Sequence, residues 1–389
     1  MTPNRPIFLD NQSTTPLDPR VWAAMVPWFT GNFANPHSVE HAMGRDAEAA
    51  VECARAEIAA LIGAEAREIV LTSGATESNN LAIKGAARHA IRVGEPRRRV
   101  ITLATEHKCV LESVRDLAAD GFEPVILPVQ SSGLLDLACL ADALATPTLL
   151  VSVMGVNNET GIIQDIPAIA ALVKQAGALM HCDAAQAVGK IPLDVACGVD
   201  LMSLTAHKIY GPKGVGALYV RRRPRARIAP LFSGGNQERG LRSGTLAPPL
   251  VAGFGIAARL AATEREADAQ RIGALRAALW QHLLTALPGL VLNGDQAHRI
   301  AGNLNLCFPT GAAQQMMRLC PDLCVSTGSA CSSADIEPSY VLRAMGLSDA
   351  QALRSLRIGI GRFTSRADID FAARALIVAH SRTLSPLQA

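Results

Sequence analysis

From residue 68 onward the chain repeats one pattern: a short apolar run rich in β-branched residues, a turn of small residues, then a helical stretch. Glu68-Ile69-Val70-Leu71-Thr72 reads as a strand, followed by a glycine-containing turn and a helix from about Thr76. Val100-Ile101-Thr102-Leu103 leads to a helix over 109–119, and Val125-Ile126-Leu127 is the next strand. Thr148-Leu149-Leu150-Val151-Ser152-Val153-Met154 shows little alternation of polar and apolar residues, which predicts a strand covered on both faces. A helix over 168–175 separates it from Leu179-Met180-His181-Cys182, and Leu201-Met202-Ser203-Leu204 follows. Neighbouring parallel strands need a long crossover, normally a helix, so this alternation predicts a mostly parallel sheet flanked by helices. The register changes near residue 250. An alanine-rich helical region over 250–286 precedes Asn303-Leu304-Asn305-Leu306-Cys307-Phe308 and Leu356-Arg357-Ile358-Gly359-Ile360, which predict a second, smaller α/β domain.

Composition narrows the class. Hydrophobic residues make up 49% and charged residues 18%, which suits an ordered chain with a large core. A net charge of +3 does not suggest a nucleic-acid coat protein. The local cluster Arg221, Arg222, Arg223, Arg225 and Arg227 reads as a solvated strand end, or as a docking patch for an acidic partner or RNA. No apolar run is long enough for a membrane span, and the N-terminus does not read as a signal peptide. The nine cysteines are expected as reduced thiols in a cytoplasmic protein.

Several strand ends carry chemistry. Lys208, in Thr205-Ala206-His207-Lys208-Ile209-Tyr210-Gly211-Pro212-Lys213-Gly214, falls just past a strand at the edge where open α/β sheets bind ligands. A lysine there can lose its charge and form a Schiff base; the plain alternative is a surface lysine in a glycine-rich turn. Asp183 ends another strand. A carboxylate facing a pyridine nitrogen keeps it protonated, although a strand-end Asp is as often a helix N-cap. Gln186, three residues on, is within reach of the same ligand's phenolic oxygen. The turn Thr72-Ser73-Gly74-Ala75-Thr76 offers backbone amides at a helix start as an anion site, with Thr76 adding a hydroxyl; it also reads as an ordinary helix start. His107 follows a further strand and is either structural or stacked over a planar ligand. An anion cradle, a His, an Asp and a Lys on successive strand ends converge better on a site than any of them does alone. Cys331 sits in Ser326-Thr327-Gly328-Ser329-Ala330-Cys331-Ser332-Ser333, whose small polar residues predict an exposed loop and an accessible thiol. Cys320 and Cys324 lack the second ligand pair a metal site needs, so no metal is expected.

Together these residues resemble the cysteine desulfurases of the NifS/IscS type, in the aminotransferase class V group of fold-type I pyridoxal-phosphate enzymes. The likeness runs through Leu9-Asp10-Asn11-Gln12-Ser13-Thr14-Thr15-Pro16, Asn35-Pro36-His37-Ser38, residues 72–80, Asn157-Asn158-Glu159-Thr160-Gly161, residues 207–214, Arg239-Gly240-Leu241-Arg242-Ser243-Gly244-Thr245, and Gly328-Ser329-Ala330-Cys331 with Glu337-Pro338-Ser339-Tyr340. The length of the Cys331 segment is that of group I. The resemblance implies a large domain over 15–260 with a mostly parallel seven-stranded sheet, and a small domain formed by 1–14 and 261–389 that carries the cysteine loop.

It also implies pyridoxal 5'-phosphate as cofactor and a set of roles. Lys208 binds the cofactor and acts as base, Asp183 pairs with the pyridine nitrogen, Gln186 meets the phenolic oxygen, and His107 stacks on the ring as acid or base. Thr76, Thr205 and His207 hold the phosphate, Ala75 also contacts the cofactor, and Thr245 reaches the phosphate of a neighbouring subunit in a homodimer. Asn157 contacts cofactor and substrate, and Arg357 binds the carboxylate of L-cysteine. Cys331 takes the sulfur as a persulfide and passes it to an iron–sulfur scaffold or another acceptor, including tRNA thiolation. The sequence departs from the family at Gly155, where a His is usual, in Gly311-Ala312-Ala313-Gln314-Gln315, and in ending soon after Ser385, without the tail that docks scaffold proteins in many members. Alternatives at this stage are an aminotransferase, which Cys331 argues against, a selenocysteine lyase, and a non-catalytic assembly scaffold, which intact Lys208, Asp183, His107 and Cys331 argue against.

Overall fold

The computed structural model describes residues 6–328 and 337–384. After the short strand β1 (Ile7–Phe8) come the seven strands of the main sheet: β2 (Ile69–Thr72), β3 (Arg99–Leu103), β4 (Glu123–Leu127), β5 (Thr148–Met154), β6 (Leu179–Asp183), β7 (Leu201–Thr205) and β8 (Gly216–Val220). Their order across the sheet is β2-β8-β7-β6-β5-β3-β4, with β8 antiparallel to both neighbours and every other pairing parallel. The α/β class and the mostly parallel seven-stranded sheet are therefore as the sequence implied.

Successive residues of a strand face opposite sides of a sheet, and here both sides are covered. Val70, Val100, Leu150, Leu201 and Leu218 pack with the helix Ala75–Arg92 through Leu81, Ile83 and Ala87. The residues one step along, Leu71, Ile101, Val151, Met202 and Ala217, pack on the other side with Ile58, Ile169, Val173 and Phe254. Both sets must be apolar, which is why the strands read as continuous runs. The strand of the main sheet that the sequence does not mark out is β8, which reverses from β7 through a short 3-10 turn (Ala206–Lys208) with no crossover helix and stops just before Arg221, the start of the basic cluster.

A second core gathers Ile7 and Leu9, then Leu304 and Leu306 of β10 (Asn303–Cys307), Leu356 and Ile358 of β12 (Ser355–Gly359), and Ile369 and Leu376 of the C-terminal helix Arg366–Leu384. β12, β10 and β9 (Val291–Leu292) form an antiparallel sheet, while β11 (Leu323–Cys324) pairs in parallel with β1. The helix Pro248–Ala286 joins the cores: Val251, Phe254 and Ala258 belong to the first, and Ile272, Leu279 and Leu283 to the second. A domain division at 260/261 thus falls inside a continuous helix.

One close approach shapes the site. Gly216 opens β8 opposite Thr205, and a Cβ at this position would lie 2.6 Å from Gly74 Cα and from the Leu204 carbonyl oxygen. Only glycine lets the turn after β2 close onto the β7–β8 turn that carries Lys208.

Candidate active site

The carboxyl ends of β2, β3, β5, β6 and β7 open on a cavity of about 520 Å³ between the main sheet and the segment after β1. At one end the helix Ala75–Arg92 begins at Gly74 with no side chain capping it. Its first-turn amides precede the first helical hydrogen bond, Ser78 N–H to the Gly74 carbonyl, and with the helix dipole they favour an anion. The Thr205 hydroxyl at the same wall is buried and has no hydrogen-bond partner among the described residues. His207 Nδ1 lies 3.1 Å from Thr14 Oγ1. Desolvation, with Lys208, Lys213 and Lys190 nearby, drives its pKa down to about 4, so the ring is neutral at neutral pH.

At the other end Asp183 closes β6 in a buried position. Its carboxylate accepts from Asn79 Nδ2 at 2.8 Å and from the Ala185 amide at 2.9 Å, and so is held in one orientation. The second of these is the helix-cap-like bond the sequence allowed, yet the group also lines the cavity. Between the two ends Lys208 donates from Nζ to the Gln12 carbonyl oxygen at 2.5 Å. Burial and the Arg357 guanidinium lower its amine to about 8, with Asp183 and Asp10 opposing. Gln186 Nε2 donates to the same carbonyl at 2.7 Å. His107 caps the helix Lys108–Asp116, its Nδ1 accepting from the Cys109 amide at 3.2 Å, which leaves the proton of the neutral ring on Nε2. Desolvation, outweighing the pull of Asp183, keeps the ring below its usual pKa.

Of the site residues expected from the sequence, Ala75, Thr76, His107, Asp183, Gln186, Thr205, His207 and Lys208 come together in this cavity. Others do not. The Asn157 carboxamide is satisfied within the protein: Nδ2 donates to the Thr105 carbonyl, and Oδ1 accepts from the Glu159 and Thr160 amides. Its neighbour Asn158 lines the cavity instead, with an unpartnered Oδ1. Arg357 sits behind the wall, donating to the Asn158 carbonyl at 3.0 Å and to Asp10 at 2.8 Å, while its buried Nε–H is unpartnered among the described residues. Thr245 is exposed and does not line the cavity. Cys331 lies outside the described residues. The chain on either side of it is described: Gly328 packs against the Glu159 carboxylate, and Ser339 Oγ donates to that carboxylate at 2.5 Å. Tyr340 Oη reaches the Glu106 carbonyl, one residue before His107, at 2.7 Å.

Cys109 was not foreseen as a site residue. Its sulfur lines the cavity 2.9 Å from His107 Nδ1 and 3.2 Å from Asn79 Nδ2. Burial and the Asp183 charge push this thiol up to about 12, so it stays protonated and is a poor nucleophile. Its spacing two residues past His107 was the only signal in the sequence. Among the described residues no group of three or more His, Cys, Asp or Glu side chains is placed to hold a metal, and no helix is long and apolar enough to cross a membrane.

The aminotransferase class-V family model matches residues 7–371. The chain is 54% identical over 387 residues to the mitochondrial cysteine desulfurase of Arthroderma benhamiae, covering 99% of this chain and 76% of that protein. It is 50% identical over 385 residues to the cysteine desulfurase IscS of Rickettsia bellii, covering 98% and 93%. Among solved structures it is similar to a NifS-like protein, with a TM-score of 0.90 and 33% identity over 97% of this chain and 100% of that one. DndA from Streptomyces lividans matches at a TM-score of 0.78 and 40% identity, covering 90% and 98%.

The cavity makes a prediction that needs no ligand. In the cofactor-free protein Lys208 should react with a limiting acylating reagent along a curve whose midpoint is near pH 8, read by mass spectrometry of its peptide. A midpoint near the ordinary lysine value of about 10.4 would show that the amine is not desolvated as described.

Proposed function

The chain belongs to the aminotransferase class-V family, and from that membership we propose that it is a cysteine desulfurase, moving sulfur from L-cysteine onto the thiol of Cys331 and releasing L-alanine. The observation that carries this reading is the meeting, in one cavity, of an amine lowered to about 8 with a fixed carboxylate on one side and an anion-binding end on the other.

The cavity fits pyridoxal 5'-phosphate. The unpartnered Thr205 hydroxyl, the open helix start with Ala75 and Thr76, and His207 suit a phosphate. Asp183 is placed for a basic ring nitrogen and Lys208 for an aldehyde carbon. When bound, the cofactor supplies a carbonyl that takes up amines covalently and a cationic ring that accepts the electron pair released at the substrate Cα.

The protein's own groups account for the rest. Asp183, held by Asn79 and the Ala185 amide, keeps the ring nitrogen protonated. Lys208 has an amine that changes charge near pH 8, which suits it to take the Cα proton as a base and to return it. His107, neutral and with its free proton on Nε2, faces the same space for proton transfer. The unpartnered Nε–H of Arg357 supports a role in gripping the substrate carboxylate, with Asn158 rather than Asn157 on the cavity wall.

In the sulfur step the Cys331 thiolate forms a bond to the substrate sulfur, and the substrate Cβ–S bond breaks with its electron pair left on carbon. Protonation then makes that carbon the methyl of alanine, so that L-cysteine and a thiol become L-alanine and a persulfide. Gly328 and Ser339, which flank the Cys331 segment, both lie against Glu159 beside the cavity, and this supports delivery of the thiol to the site.

The persulfide is proposed to pass to an acceptor for iron–sulfur cluster assembly or tRNA thiolation. The eight described cysteines are free thiols, which is compatible with the cytoplasm as the proposed location. The enzyme is proposed to act as a homodimer. Thr245 is exposed and does not line its own chain's cavity, and Trp22, Phe29 and Phe33 are 52%, 53% and 71% exposed, as expected of a surface that another subunit covers.

Two experiments test these readings. Cys331→Ser should leave cofactor binding and the spectral change on adding cysteine intact while alanine and sulfide production fall by orders of magnitude; turnover at the parent rate would remove the persulfide step. For the dimer, heterodimers of a Lys208→Ala subunit with a Thr245→Val subunit should hold one fully competent site and keep about half the parent activity. Activity no higher than that of the Thr245→Val homodimer would place Thr245 in its own chain's site.

A further inference from the structure

Lys190 is a cation that the mechanism above does not use. It lies seven residues beyond Asp183, partly buried, and lines a small cavity of about 60 Å³ shared with Lys208 and Gln12 on the far side of the active-site wall. Among the described residues its ammonium forms no ion pair, and its one hydrogen bond is to Gln186 Oε1 at 2.6 Å. Its surroundings oppose its charge: desolvation, then Lys208 and Arg357, bring its amine down to about 7. A lysine so placed adds little to stability, since an apolar chain of the same length would fill the space without desolvating an amine. Its position calls for another explanation.

Gln186 supplies one. A carboxamide has a donor end and an acceptor end of nearly the same shape, and its surroundings decide which end points where. The protonated amine can only donate, so while Lys190 carries its proton the side facing it is Oε1. The NH₂ end is thereby turned to the Gln12 carbonyl, which accepts from Gln186 Nε2 at 2.7 Å and from Lys208 Nζ at 2.5 Å. Gln186 is only 3% exposed yet lines the active-site cavity, so the orientation Lys190 imposes decides whether an N–H or a carbonyl oxygen faces a ligand beside Lys208.

We propose that Lys190 is a positioning residue of the active site, which fixes the Gln186 carboxamide with its N–H end toward Lys208 so that an anionic oxygen of the cofactor meets a donor. The proposal rests on the cofactor reading of the cavity. A parent protein that shows no visible cofactor band fails that reading first, whatever Lys190 does.

The test uses the cofactor-loaded enzyme and reads its visible spectrum and the rate at which the cofactor is lost to a scavenger. Lys190→Met should lose cofactor on the order of tenfold faster and alter the visible band, because nothing then holds the carboxamide oxygen away from the cofactor. Its melting temperature without cofactor should not fall. Lys190→Arg, which still only donates, should restore the parent spectrum and retention, and adding Gln186→Leu to Lys190→Met should bring no further loss. Retention within twofold of the parent and an unchanged band in Lys190→Met would overturn the proposal, as would a further loss in the double variant. Should Lys190→Met fail to fold, the pair Lys190→Arg and Lys190→Glu decides: a donor must keep the cofactor and an acceptor must lose it, and equal behaviour contradicts the inference.

Discussion

The structure turns on holding an amine partly withdrawn from water. Lys208 is useful only if it changes charge near neutral pH, and that requires burial without a close carboxylate to lock it as a cation. Its Nζ is therefore tied to a neutral acceptor, the Gln12 carbonyl, while the nearby charges that act on it, Arg357 lowering its pKa and Asp183 raising it, belong to groups bonded elsewhere. Meeting that condition takes strands running in one direction, whose ends deliver Asp183, His107 and Thr205 to the same edge. It also takes the contact at Gly216 that brings the turn after β2 against the β7–β8 turn.

The same site joins the two cores. The segment after β1 leaves the second core at Leu9, supplies Ser13 and Thr14 to the cavity in the first, and presents the Gln12 carbonyl to Lys208. β12 sends Arg357 back toward Asp10 and Asn158. Movement of one core against the other would therefore change the contacts of Lys208 and Arg357 together.

Much of this was legible in the sequence because burial on both faces leaves a plain mark. The runs that became β2, β5, β6 and β7 are apolar on both registers, and the residues just beyond them are the polar ones that line the cavity. What was not legible depends on local geometry. β8 follows a glycine-rich stretch and pairs antiparallel, so no crossover helix announced it. Asn157 has the residue type of a ligand, but its carboxamide closes a turn on the Glu159 and Thr160 amides, and residue type alone does not separate that use from contact with a ligand. Cys109 reads as one more helix-start residue until the fold sets it against His107. Lys190 looks like an ordinary surface lysine until its one hydrogen bond among the described residues proves to be to Gln186.

The central claim is that sulfur leaves L-cysteine as a persulfide on Cys331, and not on another thiol near the cavity. Mass spectrometry of the cofactor-loaded protein, treated briefly with L-cysteine and then digested, tests it most directly. The account predicts the added mass of one sulfur atom on the peptide containing Cys331, with Cys109 unmodified because its thiol stays protonated. Sulfur found on Cys109 or Cys324, with none on Cys331, would contradict it.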